Sequence, residues 1–530
     1  MKLTKYLAEL SEEKRITLLG NDTQDPLHSA FGSKRVVHAG LMGEPIAGSQ
    51  YQKKYYESIQ KKTDIDGKHA IYIHIPFCQT KCLYCGFYQN ASRQEVEDCY
   101  LENLLAEIKA EANRPQLKGT PIDCVFIGGG TPTSLSVDNA ARLLQTIQQS
   151  FCLTADCEVT LEGRIHDLLP EKIETWLPFG VNRISLGVQS FDTTLRRRIG
   201  RIDSREEVLK RLQLLKRYDV TVIVDLIYGL PGQTMELWLE DVRTLFEADV
   251  DGMDLYQLNI FPGGPLAKAV QNGTVPPCSD IAGQADMYIA ARDYLLQAGV
   301  ERLSLCHWRR SSRERSLYNT LAKAGASVYA FGCGAGGHFG DISWMNQRDL
   351  AAYNESVAKG DKPLMMAARQ VAPQMRQIAD AIIGNLEKGY VDFRHLLTTD
   401  SRLSELETVL ALWQERGLVE KDLGVYRLTP AGEFWYVSLT QSLLECVQVV
   451  MTSSAAAPAE DINGHDSDAL DEVLAEMLPQ STQESRRALM GKIPAAVRIM
   501  LRRSSKESLQ SMLAGMPPAM REKMFSRASG

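Results

Sequence analysis

The sequence predicts an α/β protein centred on a six-stranded parallel sheet. Two observations carry that prediction. Six short β-rich runs recur between residues 71 and 258, and helical stretches alternate with them. Strands joined through helices run parallel with right-handed crossovers. Spacing alone does not separate a doubly wound sheet from a barrel.

In chain order the strand runs are Ile71–Ile75, Cys124–Ile127, Glu158–Glu162, Arg183–Gln189, Thr221–Ile227 and Met253–Leu258. The helical segments among them are Gln94–Ala112, Asn139–Ser150, Arg205–Tyr218 and Met235–Ala248. Residues 375–445 read differently. Helical runs at Arg376–Lys388 and Ser401–Arg416 lead into a short hairpin turning at Leu423–Gly424, then a capped helix. Ser453–Ala459 is a Ser/Ala/Pro linker. Residues 451–480 carry seven acidic and no basic residues, whereas 481–530 carry ten basic and three acidic. The basic part repeats a pattern, Gly491, Pro494, Ala495 and Met500, then Gly515, Pro518, Ala519 and Met524. Proline in a first turn followed by apolar spacing predicts two short amphipathic helices, a solvated appendage. The expected division is an N-terminal segment (1–65), the barrel with its extension (66–370), a small lid domain (371–447), an acidic linker (448–480) and a basic helical tail (481–530).

At 530 residues the chain is long enough for two or three domains. Hydrophobic content of 44% and charged content of 24% fit a soluble globular protein. A net charge of −7 argues against general nucleic-acid binding. No apolar run approaches a membrane span, and the first residues lack an apolar signal core. Eleven cysteines, eight of them scattered outside one motif, do not make a disulfide scaffold. The expectation is a cytoplasmic protein with reduced thiols.

That motif is Cys78-Gln-Thr-Lys-Cys82-Leu-Tyr-Cys85, preceded by Tyr72-Ile-His74-Ile-Pro-Phe77. Three thiolates spaced four and three positions apart hold three corners of a cubane iron–sulfur cluster from one short loop. The fourth iron then stays open to a small molecule. A structural zinc site is the alternative, and it would want a fourth Cys or His nearby. His74 is close, but it lies in an apolar, strand-like run. Further on, Gly128-Gly129-Gly130-Thr131-Pro132 ends a strand and precedes a helix, where successive glycines let backbone approach a ligand. It lacks a Walker lysine.

Together these motifs resemble the radical S-adenosylmethionine (SAM) superfamily, and the Tyr-x-His-x-Pro-Phe prefix resembles its oxygen-independent coproporphyrinogen oxidase branch. The resemblance implies a partial six-stranded (β/α)6 barrel and a winged-helix-like C-terminal domain, acting as a lid rather than on DNA. It implies a 4Fe-4S cluster on Cys78, Cys82 and Cys85, with SAM on the open iron. It implies SAM contacts from Gly86, Gly129, Gly130 and Thr131, and from polar strand ends at Glu162, Gln189, Arg201 and Asp225. Tyr84 matches an aromatic position that packs on adenine, and Tyr72 shapes the cluster pocket. A carboxylate beside a sulfonium favours the cation electrostatically. Each strand-end residue taken singly reads equally well as ordinary polarity.

Two departures narrow the substrate. Phe87 stands where coproporphyrinogen oxidase has a further Cys, and Glu162 is followed by Gly163-Arg164 rather than Asn/Asp-Pro. The flanks Asp25–Phe31, Lys34–Gly40, Cys306–Arg310 and Gly332–His338 resemble the haem-utilisation radical SAM methyltransferases. That resemblance, over roughly residues 20–445, implies haem as substrate, opened without oxygen, a second SAM as methyl donor and a flavodoxin-like electron donor. Haem asks for an axial ligand and for cations at its propionates. His38, His307, Cys333 and His338 are candidates for the first, Arg309 and Arg310 for the second. Gln257 and Asn259 are positional candidates for the second SAM. A decarboxylase of the coproporphyrinogen oxidase type and a haem carrier without turnover are the alternatives.

Overall fold

The computed structural model describes residues 2–35, 43–46, 50–62, 67–87, 90–369 and 373–452. His38, the basic tail and all but the first five residues of the acidic linker lie outside them; those five continue a helix, Tyr436–Thr452.

Six parallel strands form the core in chain order: β1 (His69–Ile75), β2 (Pro121–Gly129), β3 (Cys152–Gly163), β4 (Arg183–Gln189), β5 (Thr221–Tyr228) and β6 (Gly252–Gln257). Their registers pair Tyr72 with Phe126, Glu162 with Ser185, Gly187 with Asp225, and Asp225 with Asp254. Helices α1 (Gln94–Ala112), α2 (Val137–Ser150), α3 (Arg205–Leu215) and α4 (Met235–Glu247) make crossovers. The last three start where Ser136, Ser204 and Thr234 accept a hydrogen bond from the third residue on, which satisfies an otherwise unpaired amide. Strands covered on both faces need continuous apolar runs. β5, Thr-Val-Ile-Val-Asp-Leu-Ile-Tyr, is buried throughout except at half-buried Asp225.

The sheet continues past the six predicted strands, to thirteen. β7 (His307–Arg309) pairs antiparallel with β6 at one edge. β8 (Ser327–Phe331) adds a seventh parallel strand beside β1, followed by the antiparallel β9 (Gly336–Phe339), β10 (Ile342–Asn346) and β11 (Leu364–Arg369). The flank Gly332–His338 is thus the turn and strand that extend the barrel sheet.

The C-terminal part holds α5 (Pro373–Glu387) and a three-stranded antiparallel sheet of β12 (Tyr390–Asp392), β13 (Val419–Asp422) and β14 (Val425–Leu428). The β13–β14 turn is at Leu423 and Gly424, both with positive φ (47° and 83°), the geometry that tight hairpins favour. Residues 2–35 fold onto this part rather than standing apart. The Leu3 amide donates to Glu405 (2.6 Å), and the Trp435 indole donates to the carbonyls of Pro26 (3.0 Å) and Leu27 (2.9 Å). Glu433 accepts from Arg292 (2.6 Å) and Arg302 (2.7 Å), fastening the same part to the barrel. Among the described residues no helix is long and apolar enough to cross a membrane.

Candidate active site

The carboxyl ends of β1 to β5 bring the predicted SAM and cluster residues to one end of the barrel. β1 delivers the cysteine loop directly, and the Gly130 amide donates back to the Ile75 carbonyl (2.7 Å). Cys78 and Cys82 are buried and Cys85 is half-buried. The Thr131 hydroxyl donates to Cys78 Sγ (3.3 Å), so the glycine-rich segment and the thiols form one unit. Burial pushes the Cys78 thiol up, against the opposing pull of Thr131 and Arg164. A buried thiol of that kind becomes a stable thiolate when a metal takes its proton's place.

The glycines are set by contact. A Cβ on Gly130 would lie 2.3 Å from the Phe77 carbonyl oxygen, one on Gly128 2.5 Å from Glu162 Oε2, and one on Gly129 2.6 Å from the His74 ring. Gly129 also has φ +111°, a conformation other residues avoid. Gly130→Ala is therefore expected to push Phe77 and the cysteine loop apart. Iron retained per chain after anaerobic reconstitution should fall severalfold while the circular dichroism spectrum is kept. Retention at the wild-type level would show that the loop tolerates the shift.

Glu162 accepts from the Gly129 amide (3.1 Å), and Asp225 accepts from the Ser185 hydroxyl (3.3 Å). Burial raises Glu162 to about 7, and burial with the neighbouring Asp254 and Glu162 raises Asp225 to about 8. Both are held near neutrality by an environment that a cation would relieve. SAM affinity is expected to rise as pH climbs through 7 and 8, because the ionised carboxylates attract the sulfonium cation and the protonated ones do not. Calorimetry in buffers of different ionisation enthalpy should detect proton release on SAM binding. Affinity flat between pH 6 and 8.5 would contradict the pairing.

Tyr84, Gln189 and Arg201 close the other side. Arg201 donates to the Tyr84 hydroxyl (2.8 Å), and Gln189 is a non-glycine residue at φ 73°. Burial and the thiols raise Tyr84 to about 12, the Arg201 cation opposing them. Gln189 Oε1, Arg201 Nε and His74 Nε2 are buried without a hydrogen-bond partner among the described residues. Buried polar atoms are rarely left so. Gln189 and Arg201 crowd the same space beside Gly187, and His74 lies against Gly129; such unpartnered polar atoms near three thiols fit a polar ligand.

Three contributors were given no cofactor role from the sequence. His74 shares a hydrogen bond with the Tyr72 hydroxyl (2.9 Å), and burial pushes it down to about 4, so it stays neutral beside Gly129. Arg164 donates to Thr80 in the cysteine loop (2.7 Å), and Gly163 clears Thr133. The Gly-Arg departure after Glu162 was the signal for Arg164. Asp254 pairs in register with Asp225, a proximity that sequence distance hides.

The described haem candidates are engaged elsewhere in the fold, which corrects the expectation for His307. Both its ring nitrogens are taken, by Asp254 (2.8 Å) and Glu314 (2.9 Å), so neither is free for iron. Cys333 is buried and pushed up to about 12 by burial, and the Cys333 amide donates to Tyr100. His338 bonds the Ala326 carbonyl (2.9 Å). Arg309 pairs with Glu301 (2.7 Å) and Arg310 with Asp249 (3.3 Å). Gln257 bonds Gln284 (2.5 Å).

A parallel α/β barrel with a three-cysteine loop, a glycine-rich turn and buried carboxylates at its carboxyl end defines the class. Residues 72–245 match the Radical SAM superfamily. The chain is 39% identical to anaerobilin synthase of Escherichia coli O157:H7 over 423 residues, 79% of this chain and 93% of that protein. It is 29% identical to the heme chaperone HemW of Bacillus subtilis, over 56% of this chain and 77% of that one. The solved structure of coproporphyrinogen III oxidase from Escherichia coli shares its fold, with a TM-score of 0.64 at 22% identity, covering 74% of this chain and 92% of that one. The chain belongs to the radical SAM superfamily. Its cofactors are those of the family, a 4Fe-4S cluster and SAM.

Proposed function

We propose that this chain degrades haem without oxygen, methylating and opening the ring to release iron and a linear tetrapyrrole. The observation that carries this reading is the reach of its likeness to anaerobilin synthase, which takes in 93% of that protein and includes regions outside the barrel. The likeness to the haem chaperone is lower in identity and covers less of either chain.

When bound, the cluster and SAM supply a primary carbon radical able to remove hydrogen from an unactivated carbon. Cys78, Cys82 and Cys85 would hold the cluster, and the Thr131 hydrogen bond to Cys78 would tune its potential. Glu162 and Asp225 would hold the cationic cofactor. Gly129 and Gly130 would admit it to backbone distance, and Arg201 with Tyr84 would fix its far side. A flavodoxin-like protein would deliver the electron.

The test of the methyl-transfer step uses SAM labelled in its methyl group, with haem and reductant under anaerobic conditions. Label is expected in a tetrapyrrole product and, as abstracted hydrogen, in 5′-deoxyadenosine. A product lacking label but short of carbon dioxide would indicate a decarboxylase instead.

A further inference from the structure

Among the described residues eight large hydrophobic side chains are exposed, and five adjoin the site elements: Phe87 after the last cysteine, Ile202 after Arg201, Tyr256 near the end of β6, and Ile260 and Phe261 just beyond it. The clustering has structural causes. Phe87 follows the last cluster cysteine, and its amide donates to Cys85 Sγ (3.3 Å). A Cβ on Gly86 would lie 2.9 Å from the Phe261 ring, so the segment beyond β6 lies directly against the cysteine loop. Leu83 and Tyr84 pack on the same small core as Leu258 and Leu266, which anchors that segment from both ends. Ile202 follows Arg201, itself bonded to Tyr84. The rings at the rim are nevertheless open, Phe87 at 68% and Phe261 at 43% exposure.

We propose that Phe87, Ile260 and Phe261 form an apolar shelf beside the cluster loop that takes one face of the tetrapyrrole substrate. This deepens the haem-degrading reading and rests on it. A flat macrocycle of aromatic character is the ligand such a shelf suits, since ring faces bury area without needing hydrogen bonds. Exposed apolar side chains gathered beside one loop are a feature of binding sites. Phe261 lies against Gly86, so a macrocycle on this shelf would sit beside the loop that would hold the cluster. Phe87 thereby gains a role: the position that departs from the coproporphyrinogen oxidase pattern contributes substrate surface.

The test is an anaerobic absorbance titration of the reconstituted full chain with haem, comparing wild type with Phe87→Ser, Phe261→Ser and the double variant. Iron and sulfide per chain serve as the folding control, and both sites are at the surface. The double variant is expected to bind haem about tenfold more weakly or worse, the loss of one buried aromatic face. Unchanged haem affinity overturns the shelf. Unchanged affinity with slower reduction by flavodoxin would assign the surface to the electron donor, and overturns it too. Wild type that binds haem but makes no product would remove the haem-degrading reading, while the titration would still decide the shelf.

Discussion

Cys82→Ala is expected to abolish SAM cleavage, leaving no detectable 5′-deoxyadenosine, while haem binding stays close to wild type. The expectation follows from ligand number. A four-iron cluster on three protein thiolates has no spare ligand. Cys82 is buried, at the turn where the Cys85 amide donates to the Cys82 carbonyl (3.3 Å), and Gly200 packs against its Cα. Anaerobic reconstitution followed by iron analysis and chromatography of the nucleoside product checks both halves. Deoxyadenosine production by the variant would mean that the cluster sits elsewhere.

His307→Ala is expected to destabilise the fold by roughly 3–5 kcal/mol, the usual consequence of removing one partner from a buried ionic cluster. His307 and Glu314 are both buried, and Arg183 completes the group with bonds to Glu314 at 2.9 and 3.0 Å. Burial alone would lower His307, but Asp254 and Glu314 overcome it and raise it to about 9. Burial alone would raise Glu314, but His307 and Arg183 bring it down to about 2. The signs fix the pH window. The His307 contribution is complete below its unfolded value near 6.5 and is lost as pH rises through 9. The Glu314 contribution is complete above 4.5 and is lost as pH falls towards 2. Denaturant melts from pH 5 to 10 should show the difference between wild type and His307→Ala shrinking as pH rises from about 6.5 to 9 and levelling off above 9. A constant difference across that range would mean that His307 acts only by packing.

This cluster also shows where sequence stops being informative. The six parallel strands were legible because strands buried on both faces must be apolar, and Thr221–Ile227 carries one ionisable residue in a β-branched run. The cysteine loop was legible because all its ligands come from eight consecutive residues. Glu162, Gln189, Arg201 and Asp225 were legible only in order, as a series of polar strand ends. Asp254, His307 and Glu314 meet across 53 and 7 residues, and no local pattern announces that His307 faces two carboxylates. The flank Cys306–Arg310 suggests His307 as a haem ligand instead. β8 was missed although Ser-Val-Tyr-Ala-Phe is apolar, because its meaning lies in pairing with β1 more than 250 residues earlier. The docking of residues 2–35 on the C-terminal part was equally hidden, since its hydrogen bonds link positions about 400 apart. The hairpin at Leu423–Gly424 was the opposite case, a turn written entirely in local residues.

The most direct test of the account is mass spectrometry of an anaerobic reaction containing the reconstituted chain, haem, SAM and reduced flavodoxin. The account predicts loss of haem, release of iron, 5′-deoxyadenosine and a methylated linear tetrapyrrole. Intact haem at the end, with neither deoxyadenosine nor a methylated product, would contradict it.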